Sequence, residues 1–427
     1  MQNRRIRAFG SKRITAFSAI LATGVALWAF ACSSGPRAVI HVDHQVALFD
    51  TPVAVTITGL RTNDVIVVRA TTRDERGTVW SSFGTYTADA NGDVDLRSAS
   101  SGAGSYHGVD AMGLFWSMTP TNSAVTVYGF PTTGEVVALS VTDAGSLVGS
   151  TTVIRNELNP GVIGPRIATV SETGFYGVYD QPANVVTQRV AVLAFGGSEG
   201  GLSTATLAYA LATHGYPTLA VAYFGEPGLP SSLSNIPLEY FARALDWLRA
   251  QPAVDPDHMI VFGVSRGSEA ALLLGVQYPD LVHGVIAMVP SNVAICSVPG
   301  CGGPAWTLGN KPLPYTKELN NPAPDDVPTA AIPVEKIAGP VLLDCGGLDQ
   351  VWASCAYADA IVGRLDRNGD LYPHTLLRYP DAGHGIGDPI PYAPISDPAQ
   401  LEGAFPESNA QAREHAWPAL LDFLAQQ

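Results

Sequence analysis

Ser265, Asp349 and His384 are the three residue types that acyl transfer to a serine requires: a hydroxyl nucleophile, a carboxylate and an imidazole base. Ser265 stands in Gly263-Val264-Ser265-Arg266-Gly267, between the apolar run Met259 to Phe262 and the helix-forming run Ala270 to Leu274. Strand, tight turn and helix is the setting that lifts a serine clear of a sheet edge. The turn is so tight that only small residues fit on either side. The helix behind it brings unpaired N–H groups and a positive dipole end to a developing oxyanion.

A serine hydroxyl is a weak nucleophile at neutral pH and needs a base. In strand–helix proteins of this kind the acid and then the histidine follow the serine along the chain. His384 lies between Gly383 and Gly385, just beyond the last strand-like run. His283 and His374 sit at strand starts, the wrong edge of a parallel sheet. The acid should follow the preceding strand, where the sequence offers Asp344 and Asp349. Asp344 reads as part of the strand. Asp349 falls in the loop, where a carboxylate can reach the far imidazole nitrogen and hold its tautomer. The loop Gly196 to Gly201 follows an earlier strand, so the N–H of Gly197 or Ser198, with that of Arg266, is the expected oxyanion hole. No G-x-x-x-x-G-K-[ST] pattern accompanies that loop, which argues against a nucleotide phosphate site. Glu199, Glu269 and Arg266 are charged neighbours of the turn. They either orient the site or form an ordinary ion pair.

These groups must be positioned by strands alternating with helices. Strands are expected at 189–195, 217–224, 258–263, 283–289, 340–346 and 374–379. Helices are expected at 202–215, 238–251, 265–278, 352–365 and 409–427. The apolar stripe Leu238, Phe241, Leu245 and Leu248 has helical spacing. This alternation predicts an α/β-hydrolase fold over 165–427: a mostly parallel sheet with helices on both faces. Residues 290–338 are rich in Pro, Gly and Asn, and read as an insertion over the carboxyl edge of the sheet. Before them, 41–158 reads as an all-β, immunoglobulin-like sandwich, with short β-branched runs near 53–58, 64–70, 79–87, 124–130 and 136–141.

At 427 residues the chain is long enough for two domains, and 46% apolar residues supply their cores. A net charge of −14 argues against nucleic acid as a partner and against docking on an anionic membrane surface. The first residues form a leader: Arg4, Arg5, Arg7, Lys12 and Arg13, then an uncharged run from Ile14 to Ala31. Ala29-Phe30-Ala31 has the small residues of signal cleavage, so 1–31 is expected to be a signal peptide. Cys32 would then begin a linker (32–40) and could carry a lipid anchor. Export is the expected fate, anchored at the outer face of the cytoplasmic membrane or secreted. Cys296, Cys301, Cys345 and Cys355 remain, an even number that fits disulfides in an oxidising compartment. Three connectivities exist, of which the two short-range pairs are the simplest. No His lies at ligand spacing around them, so no metal site is expected.

The segments Phe195 to Leu202 (FGGSEGGL), Gly215 to Gly225 (GYPTLAVAYFG), Leu238 to Leu248 (LEYFARALDWL), Gly263 to Glu269 (GVSRGSE) and Gly383 to Ile386 (GHGI) together carry a resemblance. So do Pro52 to Leu60, Asp74 to Gly77 and Val109 to Met118 in the N-terminal half. On them the chain resembles the acyl-CoA thioesterase / bile-acid-CoA:amino-acid N-acyltransferase family over nearly all of its length after the leader. The resemblance implies a β-sandwich followed by an α/β-hydrolase, with Ser265, Asp349 and His384 as the triad and acyl thioesters as substrates. The family's acyltransferase branch has Cys in the turn; Ser265 favours hydrolysis. Two features depart. Arg266 stands where Lys is expected and Ser268 where a smaller residue is. Export would also take the chain away from acyl-CoA. Three readings follow: a serine acyl thioesterase, an extracytoplasmic carboxylesterase on the same scaffold, and a lipid-anchored binding protein without turnover. The complete set of three residues argues against the last. The chemistry needs no metal or redox cofactor.

Overall fold

Alternating residues of the central strands enter two different cores. Leu193, Phe195, Leu219, Val221, Met259, Val261, Val285, Ala287 and Leu343 face one; Val192, Ala194, Ile260, Phe262, Ile286, Met288 and Leu342 face the other. A sheet buried on both faces is the result, with continuous apolar strands in place of apolar–polar alternation. The computed structural model describes residues 38–394 and 405–427, apart from 123, 126, 132, 133, 157–160 and 326. The leader 1–31 and Cys32 lie outside the described residues.

The sheet has eight strands: β1 (Val162–Ala168), β2 (Tyr176–Pro182), β3 (Arg189–Phe195), β4 (Thr218–Ala222), β5 (Val254–Val264), β6 (Gly284–Met288), β7 (Val341–Gly346) and β8 (His374–Tyr379). Their spatial order is β1-β2-β4-β3-β5-β6-β7-β8. β1 and β2 pair antiparallel, as do β2 and β4; the remaining neighbours are parallel. The first two strands were not expected from the sequence, and β1 begins before the predicted boundary at 165. β1 is largely exposed, so it lacks the apolar run that marks the buried strands.

Among the described residues, five helices flank the sheet: α1 (Ala205–Thr213), α2 (Leu238–Arg249), α3 (Arg266–Gln277), α4 (Ser354–Asn368) and α5 (Pro406–Ala425). α1 and α5 cover one face, while α2, α3 and α4 cover the other. In α2 the predicted stripe Leu238, Phe241, Leu245 and Leu248 is fully buried, and Arg243 turns outward to the Gly174 carbonyl at 2.9 Å.

The residues between β6 and β7 form a built insertion. Trp306–Leu308 pairs with Ile236–Pro237 and with Lys311–Pro312, and a disulfide joins Cys296 to Cys301. A second disulfide, Cys345–Cys355, links the end of β7 to the start of α4.

The N-terminal part is a three-stranded sheet facing a seven-stranded one over a common core that includes Val55, Ile57, Val68, Trp80 and Leu139. Val39–Val42 is already a strand, so the sandwich begins at the end of the predicted linker 32–40, two residues before the predicted start at 41. Ser146–Asn156 forms the longest strand of this part and was not expected. The run 124–130, read as a strand, does not form one among its described residues. Its aromatics turn inward instead: Tyr128 donates to the Glu135 carboxylate at 2.8 Å, and Phe130 packs on Phe49.

The sandwich is fused to the hydrolase part. The fully buried Arg155 pairs with Glu135 and also donates to the carbonyls of Phe49 and Tyr392. Trp417 of α5 donates to Asp50 at 2.9 Å. No helix among the described residues is long and apolar enough to cross a membrane.

Candidate active site

The serine turn is fixed by close backbone approach. A Cβ added to Gly263 would lie 2.2 Å from the Gly267 carbonyl, and one added to Gly267 would lie 2.2 Å from the Gly196 carbonyl. Both distances are far inside van der Waals contact, so only glycine fits. Ser265 itself adopts φ 54°, ψ −121° at the junction of β5 and α3, a backbone that side chains rarely take. Its N–H donates to the Met288 carbonyl at 3.0 Å, and Ser268 donates from both its N–H and its hydroxyl to the Ser265 carbonyl. These bonds hold the strained turn in place.

The structure brings Ser265, His384 and Asp349 into one line. Ser265 Oγ lies 2.9 Å from His384 Nε2, and His384 Nδ1 lies 2.8 Å from Asp349 Oδ2. A carboxylate can only accept, so the proton of the neutral ring belongs on Nδ1. Nε2 is then free to accept from the serine hydroxyl. Asp349 is locked in turn: its Oδ1 accepts the N–H groups of Val351 at 3.0 Å and Trp352 at 3.2 Å. The aspartate side chain is fully buried, while the imidazole keeps slight solvent access.

The turn that carries His384 is held by α5. Asn409 accepts the Gly383 N–H at 2.8 Å, and the buried Arg413 donates to the Gly385 carbonyl from Nε at 3.0 Å. Sequence reasoning missed both residues, because nothing in a helical pattern distinguishes a polar group that faces inward. Burial lowers the Arg413 pKa, with Asp388 opposing that fall. His283 and His374, set aside from the sequence, stand at the opposite edge: His283 Nδ1 takes the Met259 N–H, and His374 pairs with Asp366.

The oxyanion expectation is corrected in part. The Gly197 backbone does approach the nucleophile, since an added Cβ would sit 2.8 Å from Ser265 Cβ. Its N–H, however, donates to Glu199 Oε1 at 2.9 Å and is not free. The physical reason is the short loop, which lets the Glu199 carboxylate fold back to accept from the Gly197 N–H and from the Ser203 hydroxyl. The Ser198 N–H has no acceptor among the described residues. Arg266 is the first residue of α3, so its N–H has none within the helix.

The Arg266 side chain points away from Ser265 into a buried ion pair. Its Nε lies 2.6 Å from Glu269, and its two terminal nitrogens donate to the carbonyls of Cys296 and Ile295. Glu269 also accepts from the Ile295 N–H and the Trp306 indole. Burial raises the Glu269 pKa, and Arg266 opposes the rise. The pair therefore fastens the insertion to the nucleophile helix. Among the described residues no group of three or more His, Cys, Asp and Glu is placed to hold a metal ion.

Sheet order, strained serine turn, and a histidine and acid delivered from the last two strand ends define the chain as an α/β-hydrolase. Its sequence narrows this further. Residues 50–168 match the model for the acyl-CoA thioester hydrolase/BAAT N-terminal region, and residues 236–300 and 307–427 match that for the BAAT / acyl-CoA thioester hydrolase C terminal. The chain belongs to this family and is a hydrolase-type enzyme. It is 29% identical to acyl-coenzyme A thioesterase 6 of Mus musculus, over 88% of this chain and 93% of that one. It is 28% identical to the mitochondrial acyl-coenzyme A thioesterase 2 of Homo sapiens, over 88% and 81%. With bile acid-CoA:amino acid N-acyltransferase of Mus musculus it shares 29% over 89% and 95%.

Proposed function

We propose that this protein hydrolyses acyl thioesters through an acyl-Ser265 intermediate. The observation that carries this reading is the unbroken line from Asp349 through His384 to a serine on a strained turn, with both spacings under 3 Å. His384 Nε2 takes the Ser265 proton as Oγ attacks the thioester carbonyl. Asp349 stabilises the imidazolium. The N–H groups of Ser198 and Arg266 receive the oxyanion. His384 then protonates the departing thiolate. In the second half it takes a proton from water, whose oxygen attacks the acyl carbonyl; Ser265 leaves and recovers its proton, and the free acid is released.

A second reading, hydrolysis of oxygen esters outside the cytoplasm, is favoured by the disulfides Cys296–Cys301 and Cys345–Cys355, which fit an oxidising compartment. It accords with the basic and apolar leader and with Cys32 as the point of a lipid anchor. The test compares matched acyl-CoA and acyl-nitrophenyl ester substrates, each with wild type and Ser265→Ala. Ser265-dependent cleavage of acyl-CoA supports the thioesterase. Cleavage of the simple esters alone supports the esterase. Turnover by Ser265→Ala sinks both.

A further inference from the structure

Asp344 lies within β7, two residues before its end, in a sheet buried on both faces, where an apolar residue is the rule. It is fully buried. Its Oδ1 accepts the Val289 N–H at 2.6 Å, while its Oδ2 has no hydrogen-bond partner among the described residues. A half-satisfied buried carboxyl opposes folding, so its presence points to another role.

That role is visible at Val289. This residue lies just past β6 and holds φ 41°, a conformation that a β-branched side chain avoids. The Asp344 carboxyl is the group that binds its amide. From Val289 two contacts lead to the imidazole. Its carbonyl accepts the Trp352 indole N–H at 3.0 Å, and the Trp352 ring meets His384 edge to face, with centroids 5.8 Å apart. Its side chain packs with Ala382 and Ile386, on either side of His384. A Cβ added to Gly387, in the same turn, would lie 2.8 Å from Val289 Cγ2.

We propose that Asp344 is a positioning residue for His384, acting through the Val289 amide and the Trp352 indole. The proposal rests on His384 being the base for Ser265. Burial, helped by the nearby Asp349, keeps the carboxyl protonated at neutral pH, its pKa raised to about 8. A neutral amide can therefore take its place: it still accepts the Val289 N–H, whereas an alkyl group cannot.

The test measures kcat, KM and thermal unfolding at pH 7 on an acyl-nitrophenyl ester for Asp344→Asn, Asp344→Leu, Trp352→Phe and Ser265→Ala. Asp344→Asn should keep kcat within about threefold, and Asp344→Leu should lose roughly 30-fold or more in kcat with KM changed less than about threefold. Trp352→Phe keeps a ring but loses the N–H, and should lose about fivefold in kcat. Loss confined to kcat, and relieved by Asn, is what misorientation gives and simple unfolding does not. A folded Leu variant with wild-type kcat overturns the proposal, as does an Asn variant as impaired as Leu. If the Leu variant does not fold, Trp352→Phe decides: wild-type kcat there overturns it. Turnover by Ser265→Ala instead overturns the reading of the site, and the proposal with it; an inactive Ser265→Ala beside unimpaired Asp344 and Trp352 variants overturns the proposal alone.

Discussion

Arg266 and Glu269, one turn apart on the nucleophile helix, form an ion pair at 2.6 Å with the glutamate fully buried. The charge next to Ser265 is thus neutralised within the protein and spent on the insertion strands, not on a ligand. Arg266→Met leaves a buried carboxylate without its cation. The expected loss of stability is about 3–5 kcal/mol, because breaking such a pair costs far more than the pair contributes. Replacing Arg266 and Glu269 together by Met and Leu should cost much less. Urea unfolding of Arg266→Met, Glu269→Leu and the double variant checks this; a double-variant loss equal to the sum of the two single losses would show that the pair is not coupled.

Asp349→Asn should leave the fold intact and lower kcat by roughly 10³–10⁴-fold, because the amide no longer holds the ring proton on Nδ1. KM should change little. The measurement is steady-state kinetics beside a thermal melt. A loss below tenfold would mean that another group orients His384.

Much of this site was legible from residue types and order. Ser265 announced itself through two glycines between an apolar strand and an apolar helix, and His384 and Asp349 through their places after the last two parallel strands. What was not legible depends on contacts across long sequence separations. Glu199 folding back on Gly197, or Asn409 and Arg413 gripping the His384 turn, leave no periodic trace. The edge strand β1 was missed because exposure removes the apolar run, and Ser146–Asn156 because its alternation is interrupted by a bulge between Leu147 and Gly149.

Cys345–Cys355 closes the loop that carries Asp349 and Trp352. Opening it restores chain freedom worth roughly 2–3 kcal/mol to a segment of this length. Reduction, or Cys355→Ser, should therefore lower the melting temperature and reduce kcat several-fold while the Asx turn at Asp349 still gives partial order. The variant should then be indifferent to dithiothreitol in its own activity, apart from any effect through Cys296–Cys301. Unchanged kcat on full reduction, monitored by thiol titration, would show that the turn alone holds the acid.

Gly267→Ala tests the serine turn without touching a reacting atom. Its Cβ would meet the Gly196 carbonyl at 2.2 Å, and backbone cannot yield as a side-chain end can. Either the loop after β3 or the turn itself must move, and each carries part of the proposed oxyanion site. The expected outcome is a large fall in kcat, on the order of 10²-fold for an ångström-scale displacement, with a cooperative unfolding transition retained. Wild-type kcat in a folded variant would show that the loop accommodates the methyl.

Asp344 makes stability depend on pH in the sense opposite to a salt-bridged carboxylate. Its folded pKa is raised from 3.8 to about 8 by burial, with the Asp349 charge adding to the rise. Tyr379 on β8 also faces it, and that phenol is itself pushed up, by its own burial first and by the Asp344 charge second. Between those two pH values the unfolded chain has released the proton and the folded chain still holds it. Raising the pH therefore favours unfolding through this group, from just above pH 4 until the folded carboxyl ionises near pH 8. Asp344→Asn removes that contribution. The variant should melt above wild type at pH 7.5, by a few °C for each kcal/mol recovered, and the difference should shrink as the pH falls toward 5. Differential scanning calorimetry at several pH values reads this directly. A difference that is constant across the range would mean that Asp344 does not change protonation on unfolding.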